Sequence, residues 1–363
     1  MKIAFLTMGK DIGGAKQDVI TLSQQIAEKG HDVYVLSAPG VMDKELANTK
    51  VHFVPADFYT RNPLGLFKAS RKLKKIVQKE KIELVNPQGF YTAIIAWLMR
   101  ISIKPSFVPI VTTIHMFSSL SFYKYAWLLN IFSKEIITES NCERVRLEGG
   151  GVKRNRISVI NNSVDMNKFS ISNTIPVLRK ENCIGNETIV FGIVARLSPE
   201  KRHQDFVEAA KIVHKKYPKT YFFIVGDGPT RELIEPMLFD CNYIFMTGMR
   251  RDVPDCLRSF DCFVLCSEVE SLPLSIREAM SMKLPVVVTD VGGNREIVAE
   301  GLTGFIVPPK SPVKLAEAMC KIVESENDRV QMGNEAWHLC KDRFDATMWA
   351  CITEKKFESI IGE

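Results

Sequence analysis

The stretch at residues 261–298 alternates short apolar runs with loops and a helix start, and this alternation restricts the fold more than any other feature. The runs at 262–266 and 286–288 are too short for buried helices and predict buried strands. Pro273 lies between them where a helix can begin, because a proline in the first turn gives up an amide that has no helical partner anyway. This order predicts a ligand crevice at the carboxyl ends of parallel strands.

Two carboxylates in this stretch are candidates for binding a ligand. Glu270 lies in the loop and Glu278 in the helix region, so both side chains can face a ligand at the helix N-terminus. The free amides of the first turn face the same point, and they can bind a phosphate. The residues around these amides are Leu272, Pro273, Leu274 and Ser275. For the spacing alone, the simpler interpretation is two exposed surface glutamates.

The amino-terminal half opens with a similar unit. Residues 2–8 predict a strand, the following loop ends in Gly13 and Gly14 before a helix, and residues 33–38 predict the next strand. The loop lacks the G-x-G-x-x-G spacing of a dinucleotide fingerprint, which argues against a nicotinamide oxidoreductase. A chain of 363 residues is long enough for two such domains, each with its own core.

The composition is that of a globular protein, with 46% apolar and 25% charged residues. The nine cysteines form no C-x2-C pair and lie mostly in apolar runs, so we expect buried, reduced thiols rather than disulfides or a zinc site. No apolar run approaches the roughly 18 residues that span a bilayer. The apolar start at 3–8 is too short for a signal peptide. These features predict a cytoplasmic protein.

Basic residues are concentrated in the first half of the chain. Residues 1–170 hold 24 lysines and arginines against 14 acidic residues, whereas the remainder holds 24 against 28. Seven basic side chains lie between Lys68 and Lys81, and aromatic residues are dense at 116–132. These features suggest docking on an anionic membrane surface. The alternatives are a solvated helix face and an ordinary core helix, and no nucleic-acid partner is expected.

Several motifs together resemble glycosyltransferase family 4, which contains retaining enzymes of the GT-B fold. E-S-L-P-L-S-I-R-E-A-M at 270–280, followed by L-P-V-V-V-T-D-V-G-G at 284–293, resembles the family's donor-site signature. R-L-S-P-E-K at 196–201 and G-D-G-P at 226–229 resemble two of its nucleotide-sugar loops. T-I-H at 113–115 resembles its strand that ends in histidine. The resemblance covers nearly the whole chain.

The resemblance implies four catalytic residues. Arg196 and Lys201 would both reach the donor diphosphate, one as a planar fork and the other as a point charge. His115 would lie near the sugar hydroxyls and the anomeric carbon, and Glu270 would hold the sugar hydroxyls. Glu278 would bind the ribose of the donor.

The resemblance also implies the rest of the donor site. Gly13 and Gly14 would let the backbone approach the diphosphate, and Gly226 and Gly228 would let it lie against the nucleotide. Met249 occurs where relatives place the base. For the glycines the alternative is a tight turn with no ligand contact.

The predicted architecture is α/β, with two Rossmann-like, doubly wound domains of the GT-B type and a cleft between them. Residues 1–170 would bind the acceptor, and residues 171–344 would bind the nucleotide-sugar donor. The last helix, at 345–363, would cross back onto the first domain, as it does in GT-B enzymes.

The implied reaction moves a sugar from a nucleotide-sugar, UDP-sugars being commoner in the family, to a hydroxyl of a glycan or lipid-linked acceptor. Configuration at the anomeric carbon would be retained, and a bacterial surface polysaccharide is the expected product, made at the inner face of the cytoplasmic membrane. No D-x-D motif occurs, so neither a metal nor another cofactor is expected. An inactive sugar-nucleotide-binding scaffold, a nucleotide-sugar epimerase and an inverting transferase are the alternatives.

Overall fold

The computed structural model describes residues 1–8, 13–102, 108–116 and 120–362. They form two compact units: Met1–Ser163 with Ala346–Glu363, and Val164–Asp345. The division thus falls after Ser163, slightly earlier than the sequence-based boundary at residue 170. Both units are α/β with parallel sheets, as the sequence predicts.

The sheet of the first unit is built from buried apolar runs. Strands pair in the orders β3-β2-β1-β4 and β5-β6-β7, and single parallel bridges, Val85 to Ile110 and Gln88 to Thr113, join β4 to β5. Since both faces are apolar, both must be covered by helices. The strands are β1 (Lys2–Leu6), β2 (Asp32–Ser37), β3 (His52–Pro55), β4 (Leu84–Pro87), β5 (Val111–Ile114), β6 (Glu135–Thr138) and β7 (Ile157–Val159).

Six helices of the first unit connect these strands among the described residues. They are α1 (Gly14–Glu28), α2 (Val41–Leu46), α3 (Pro63–Glu80), α4 (Phe90–Ile101), α5 (Leu129–Phe132) and α6 (Asn141–Gly149). The T-I-H motif at 113–115 lies at the end of β5, which covers Val111–Ile114, so His115 directly follows the strand.

The second unit has the sheet order β10-β9-β8-β11-β12-β13, which in its own numbering is the 3-2-1-4-5-6 order of the Rossmann fold. Its strands are β8 (Ile189–Val194), β9 (Thr220–Val225), β10 (Ile244–Gly248), β11 (Cys262–Leu265), β12 (Val286–Thr289) and β13 (Gly304–Val307). Its helices are α7 (Val177–Glu181), α8 (His203–Lys216), α9 (Arg231–Ile234), α10 (Val253–Leu257), α11 (Leu274–Ser281), α12 (Asn294–Ile297), α13 (Pro312–Glu324) and α14 (Glu326–Arg343).

The last helix, α15 (Ala346–Gly362), returns to the first unit. Its inward side chains Trp349, Phe357 and Ile360 share a core cluster with residues of β1, β2 and α1. The Phe357 ring lies 6.4 Å from that of Phe5 on β1, measured between centroids. The prediction that this helix crosses back to the first domain is therefore confirmed.

The aromatic stretch of the first unit divides between core and surface. A 3-10 helix covers Leu120–Leu128, and within it Tyr123 and Ala126 are buried while Tyr125 and Trp127 are exposed. Residues 117–119 of the predicted aromatic segment lie outside the described residues. Among the described helices, none combines the length and apolar character that crossing a membrane requires.

Candidate functional site

The predicted donor residues lie where the sheet of the second unit reverses its order. β8 and β11 are neighbours there, although β9 and β10 separate them in sequence. Arg196 and Lys201 follow β8, and Glu270 follows β11. In doubly wound sheets, ligands bind at this position because the adjoining loops diverge and leave a crevice.

Lys201 and Glu270 form an ion pair between these two loops. Lys201 Nζ lies 2.5 Å from Glu270 Oε1, and the Ser267 hydroxyl donates to the same oxygen at 2.6 Å. Glu270 is only 6% exposed, so the interpretation of an exposed surface glutamate is wrong for this residue. The loops are also joined by their backbones, because the Glu268 amide donates to the Glu200 carbonyl at 2.7 Å. The cation is thereby held beside the carboxylate.

Arg196 is placed differently from Lys201. Its side chain is exposed, as expected for a cation that reaches out to a ligand. Glu278 lies half-buried on α11, which begins at Leu274 because Pro273 has extended backbone angles and occupies the capping position. The side chains at the start of this helix comprise buried Leu272 and Pro273 and half-buried Leu274 and Ser275.

Gly226 and Gly228 allow the loop after β9 to lie against the loop after β8. A Cβ at Gly226 would be 2.0 Å from the Ala195 carbonyl oxygen, and one at Gly228 would be 2.3 Å from that of Leu197. A side chain at either position would therefore displace the loop that carries Arg196. This supports the structural interpretation of the G-D-G-P turn.

Two other positions complete the donor side. Met249 follows β10 and is 78% exposed, so its side chain is accessible to a planar ligand. Gly292 has a φ of +55°, and a Cβ there would lie 2.1 Å from the Glu270 carbonyl oxygen. The absence of a side chain at Gly292 therefore makes room for the Glu270 loop.

The first unit presents an open glycine backbone at the start of α1. Gly13 caps the helix with extended backbone angles, and Gly14 is its first residue. Both glycines are exposed, and a Cβ built on either meets no described heavy atom within 4 Å. These amides are thus sterically free to approach a ligand, as the diphosphate prediction requires.

His115 lies at the carboxyl end of β5 in a hydrogen-bonded cluster. Its Nε2 is 2.8 Å from Gln88 Oε1, and its Nδ1 contacts a carboxylate oxygen of Glu139 and lies 3.7 Å from Asp18 Oδ2. Burial opposes protonation of the ring, but the Glu139 carboxylate, its hydrogen bond and the Asp18 charge together raise the pKa to about 8. The imidazole is therefore mostly protonated at neutral pH.

Sequence reasoning missed the partners of His115. Gln88 directly follows β4 and Glu139 directly follows β6, while Asp18 lies on the helix after β1. Asn162, after β7, donates to Asp18 Oδ2 at 2.7 Å. A search for polar residues within three positions of the end of each strand would have found three of these four.

A small cavity of about 20 Å³ adjoins this cluster, large enough for about one water molecule. Its lining includes His115, Asp18, Glu139 and, from α15, Trp349 and Thr353.

Two groups of side chains in the described part of the chain have a spacing that a metal ion could bridge. One consists of Asp18, His115 and Glu139, and the other of His31, Glu354 and Glu358. In each group the histidine already hydrogen-bonds a carboxylate oxygen. These contacts explain the proximity of the side chains through ion pairing.

The family models and the fold together place this chain among the GT-B glycosyltransferases. Residues 175–338 match the family described as Glycosyl transferases group 1, and residues 12–168 match Glycosyltransferase Family 4. The fold is shared with the crystal structure of Anabaena HepE in complex with UDP and glucose, with a TM-score of 0.85 at 22% identity, covering 99% of this chain and 100% of that one.

Two curated relatives agree with this class. UDP-Gal:alpha-D-GlcNAc-diphosphoundecaprenol alpha-1,3-galactosyltransferase of Escherichia coli is 30% identical over 77% of this chain and 76% of its own length. N-acetyl-alpha-D-glucosaminyl L-malate synthase of Bacillus anthracis is 26% identical over 93% of this chain and 92% of its own. The chain belongs to glycosyltransferase family 4, and the resemblance noted in its motifs is confirmed.

Proposed function

We propose that this glycosyltransferase moves a sugar from a UDP-sugar to a hydroxyl of a lipid-linked or glycan acceptor, with retention and without a metal. The observation that carries the proposal is the Lys201–Glu270 pair at the switch point of the second unit. A fixed cation there would stabilise the charge that develops on the leaving diphosphate. The adjacent carboxylate would orient the sugar hydroxyls.

The relatives support the donor and acceptor classes. The E. coli enzyme is named for a UDP-sugar donor and a diphosphoundecaprenol-linked acceptor. Both curated relatives are named for α-linked sugars, and UDP-galactose is itself an α-glycoside, so an α-linked product means retention. For this chain we propose the lipid-linked acceptor and a place in surface polysaccharide synthesis.

In the proposed reaction, the bond from the anomeric carbon to the diphosphate oxygen breaks while a bond to the acceptor oxygen forms on the same face. The acceptor's proton passes to the departing phosphate oxygen, so no residue need become covalently attached. Arg196 and Lys201 would hold the diphosphate, and Glu278 would hold the ribose. The free amides of Gly13 and Gly14 would be neutral hydrogen-bond donors for a phosphate.

The membrane part of the proposal rests on α3. Leu64 and Phe67 are 64% and 51% exposed, although they are large and apolar, and the Arg71 guanidinium lies 5.4 Å from the centre of the Phe67 ring. Lys68 and Lys75 on the same helix are exposed. Apolar anchors among cations suit an anionic bilayer surface, where each basic residue contributes about 1 kcal/mol.

Vesicle flotation tests this part separately. The intact protein should float with vesicles that contain anionic lipid at low salt and remain unbound with purely zwitterionic vesicles. Replacing Lys68, Arg71 and Lys75 by glutamine should abolish flotation. The same change at three exposed lysines of the second unit, Lys310, Lys314 and Lys321, should not. Absence of binding to anionic vesicles at low salt would remove the membrane from the proposal.

The decisive experiment for the donor site is a thermal-shift series with nucleotides and nucleotide-sugars, with and without EDTA. A ligand that binds only the native state raises the melting temperature. We expect a shift with UDP and one UDP-sugar that EDTA leaves unchanged. A shift abolished by EDTA would contradict metal independence, and no shift with any nucleotide would contradict the donor site.

Transfer assays with the UDP-sugar so identified then test the chemistry. An α-linked product, assigned by NMR, supports retention, and a β-linked product means an inverting transferase. Conversion of the donor into its epimer would mean an epimerase. Saturable donor binding with neither transfer nor hydrolysis would mean a binding scaffold.

A further inference from the structure

In one chain of side-chain hydrogen bonds in the first unit, the donor and the acceptor of each bond can be assigned. It starts at the backbone carbonyl of Val111, which can only accept, and which the Asn86 side chain contacts. The group of Asn86 that faces this carbonyl must therefore be its amide nitrogen. The same nitrogen lies 3.0 Å from the Thr113 hydroxyl. The oxygen of Asn86, Oδ1, lies 3.4 Å from the same hydroxyl.

That oxygen determines how Gln88 is oriented. Gln88 Nε2 donates to Asn86 Oδ1 at 2.5 Å, and if the amide were reversed two oxygens would face each other. Gln88 Oε1 therefore points at His115, 2.8 Å from its Nε2. Because this oxygen can only accept, Nε2 of His115 must carry a proton.

The other ring nitrogen also faces an acceptor. Nδ1 contacts a carboxylate oxygen of Glu139, and the second nearby carboxylate, Asp18, lies at 3.7 Å. The amide of Asn162 donates to Asp18, and that of Asn161 donates to the Glu139 carbonyl, so both acidic residues are held in place. Nδ1 of His115 must donate as well.

We propose that Asn86 and Gln88 are positioning residues that hold His115 as a doubly protonated cation with both N–H groups committed. A neutral imidazole can satisfy only one of these two acceptors. The charged groups that face the ring are Asp18 on α1, Glu139 after β6 and, further away, Glu143 on α6, all of which favour the cation. The Tyr123 hydroxyl and Arg146 contact Glu143 itself.

The consequence for the transferase, which rests on the proposed function, is that His115 does not accept the proton of the acceptor hydroxyl. An imidazolium has no free lone pair, so it supplies a fixed charge and geometry, and the proton must go to the departing phosphate. Asp18 and Glu139 are buried, whereas His115 and Gln88 are half-buried. With both N–H groups used in this way, His115 would contribute its positive charge and would neither act as a base nor donate a hydrogen bond to the sugar.

Histidine nitrogen NMR on the intact protein tests the inference without any donor or acceptor, so its result is independent of the proposed function. A His115→Gln variant assigns the signal. We expect the imidazolium pattern for His115 at pH 7, with a midpoint near pH 8. A neutral His115 at pH 7 would overturn the inference.

Variants then test the chain of hydrogen bonds that ends at His115. Gln88→Met removes the acceptor at Nε2 and should lower the His115 midpoint by about one pH unit, the scale of one hydrogen bond to a charged group. The control Gln78→Met makes the same change at an exposed position of α3 and should leave the midpoint unchanged. An unaltered midpoint in a folded Gln88→Met protein would refute the role of Gln88. The basic limb of the pH profile of transfer should move with the midpoint.

Discussion

The Lys201 ammonium lies 2.5 Å from the Glu270 carboxylate, although the two residues are 69 positions apart in sequence. One belongs to the motif that resembles a diphosphate-binding loop, and the other to the motif that resembles a sugar-binding loop. The structure brings these two motifs together through this ion pair and through the backbone hydrogen bond from Glu268 to Glu200. In the proposed site, the leaving group and the transferred sugar would therefore be held by groups that also hold each other.

Replacing Lys201 by methionine should remove both catalysis and some stability. Loss of one charge-stabilising group raises the barrier by about 2–4 kcal/mol, so kcat/KM should fall by roughly 30- to 1000-fold. Glu270 stays in its buried position without that cation, which should cost about 1–3 kcal/mol of unfolding free energy, because the lysine is partly exposed. Urea denaturation and steady-state kinetics measure the two effects.

The double variant Lys201→Met with Glu270→Gln separates these effects. It should recover most of the lost stability, because no charge is left without its partner, and it should remain as inactive as the single variant. The control Lys314→Ala removes a lysine from an exposed pair with Glu317 and should change neither quantity. Wild-type turnover in Lys201→Met would refute the role given to this lysine.

Arg196 offers a cleaner test, because its side chain is exposed. Arg196→Ala should leave the melting temperature within about one degree of the wild type. It should raise the barrier to transfer by about 2–4 kcal/mol and so lower kcat/KM. Arg196→Lys should recover only part of this loss, since lysine lacks the planar fork. Equal activity of the arginine and alanine proteins would show that this cation is a surface charge.

Two glycine substitutions should differ in their effect, because one should lower stability and the other should lower activity. Gly226→Ala should cost about 2–4 kcal/mol of stability, because its φ is +141° and the new Cβ would lie 2.0 Å from the Ala195 carbonyl oxygen. Gly13→Ala has room for the methyl group and an ordinary φ, so the fold should be unaffected. If its amide approaches the donor diphosphate, transfer should nevertheless fall about tenfold. Full activity in Gly13→Ala would argue for a simple turn.

The buried side chain of His203 should make the folded protein less stable in acid. It is 1% exposed at the start of α8, and neither ring nitrogen has a hydrogen-bond partner among the described residues. Burial, assisted by the nearby Lys201 charge, lowers its pKa to about 4. The unfolded chain, with a histidine pKa of about 6.5, binds the proton first, so this residue lowers stability as pH falls from about 6.5 to 4, by at most about 3 kcal/mol.

Urea midpoints at pH 7, 5.5 and 4.5 measure this effect. His203→Leu should flatten the acid side of the stability curve, because no buried imidazole then has to be protonated. His338→Leu removes an exposed histidine and should leave the curve of the wild type unchanged. Parallel curves for the wild type and His203→Leu would contradict the prediction.

Much of the fold could be predicted because each parallel strand is a continuous apolar run. Val286, Val287 and Val288 are buried on both faces of the sheet, which is why their periodicity carries a clear signal. The boundary between the two units was harder to predict from the sequence. Val164 belongs to the second unit because its amide donates to the Phe344 carbonyl at 3.0 Å, and a contact over that separation has no local signature.

The candidate site shows the same limit. Motifs pointed to Lys201 and Glu270 separately, but their pairing depends on two loops that adjoin only after β8 and β11 become neighbours. The cluster around His115 was missed because Gln88 and Glu139 look like ordinary polar loop residues. These residues contact His115 because the parallel strands that they follow end at the same edge of a sheet.

The return of α15 to the first unit has a consequence for how the molecule is made. A ribosome synthesises the chain in the amino-to-carboxyl direction, so β1 to β7 emerge before the second unit, while Trp349 and Phe357, which complete their core, emerge after it. All strands of the second unit lie in one continuous segment between these parts. We therefore expect the second unit to mature ahead of the first during synthesis. The first unit would keep an apolar face uncovered until α15 has emerged, and chaperones would protect that face in the meantime.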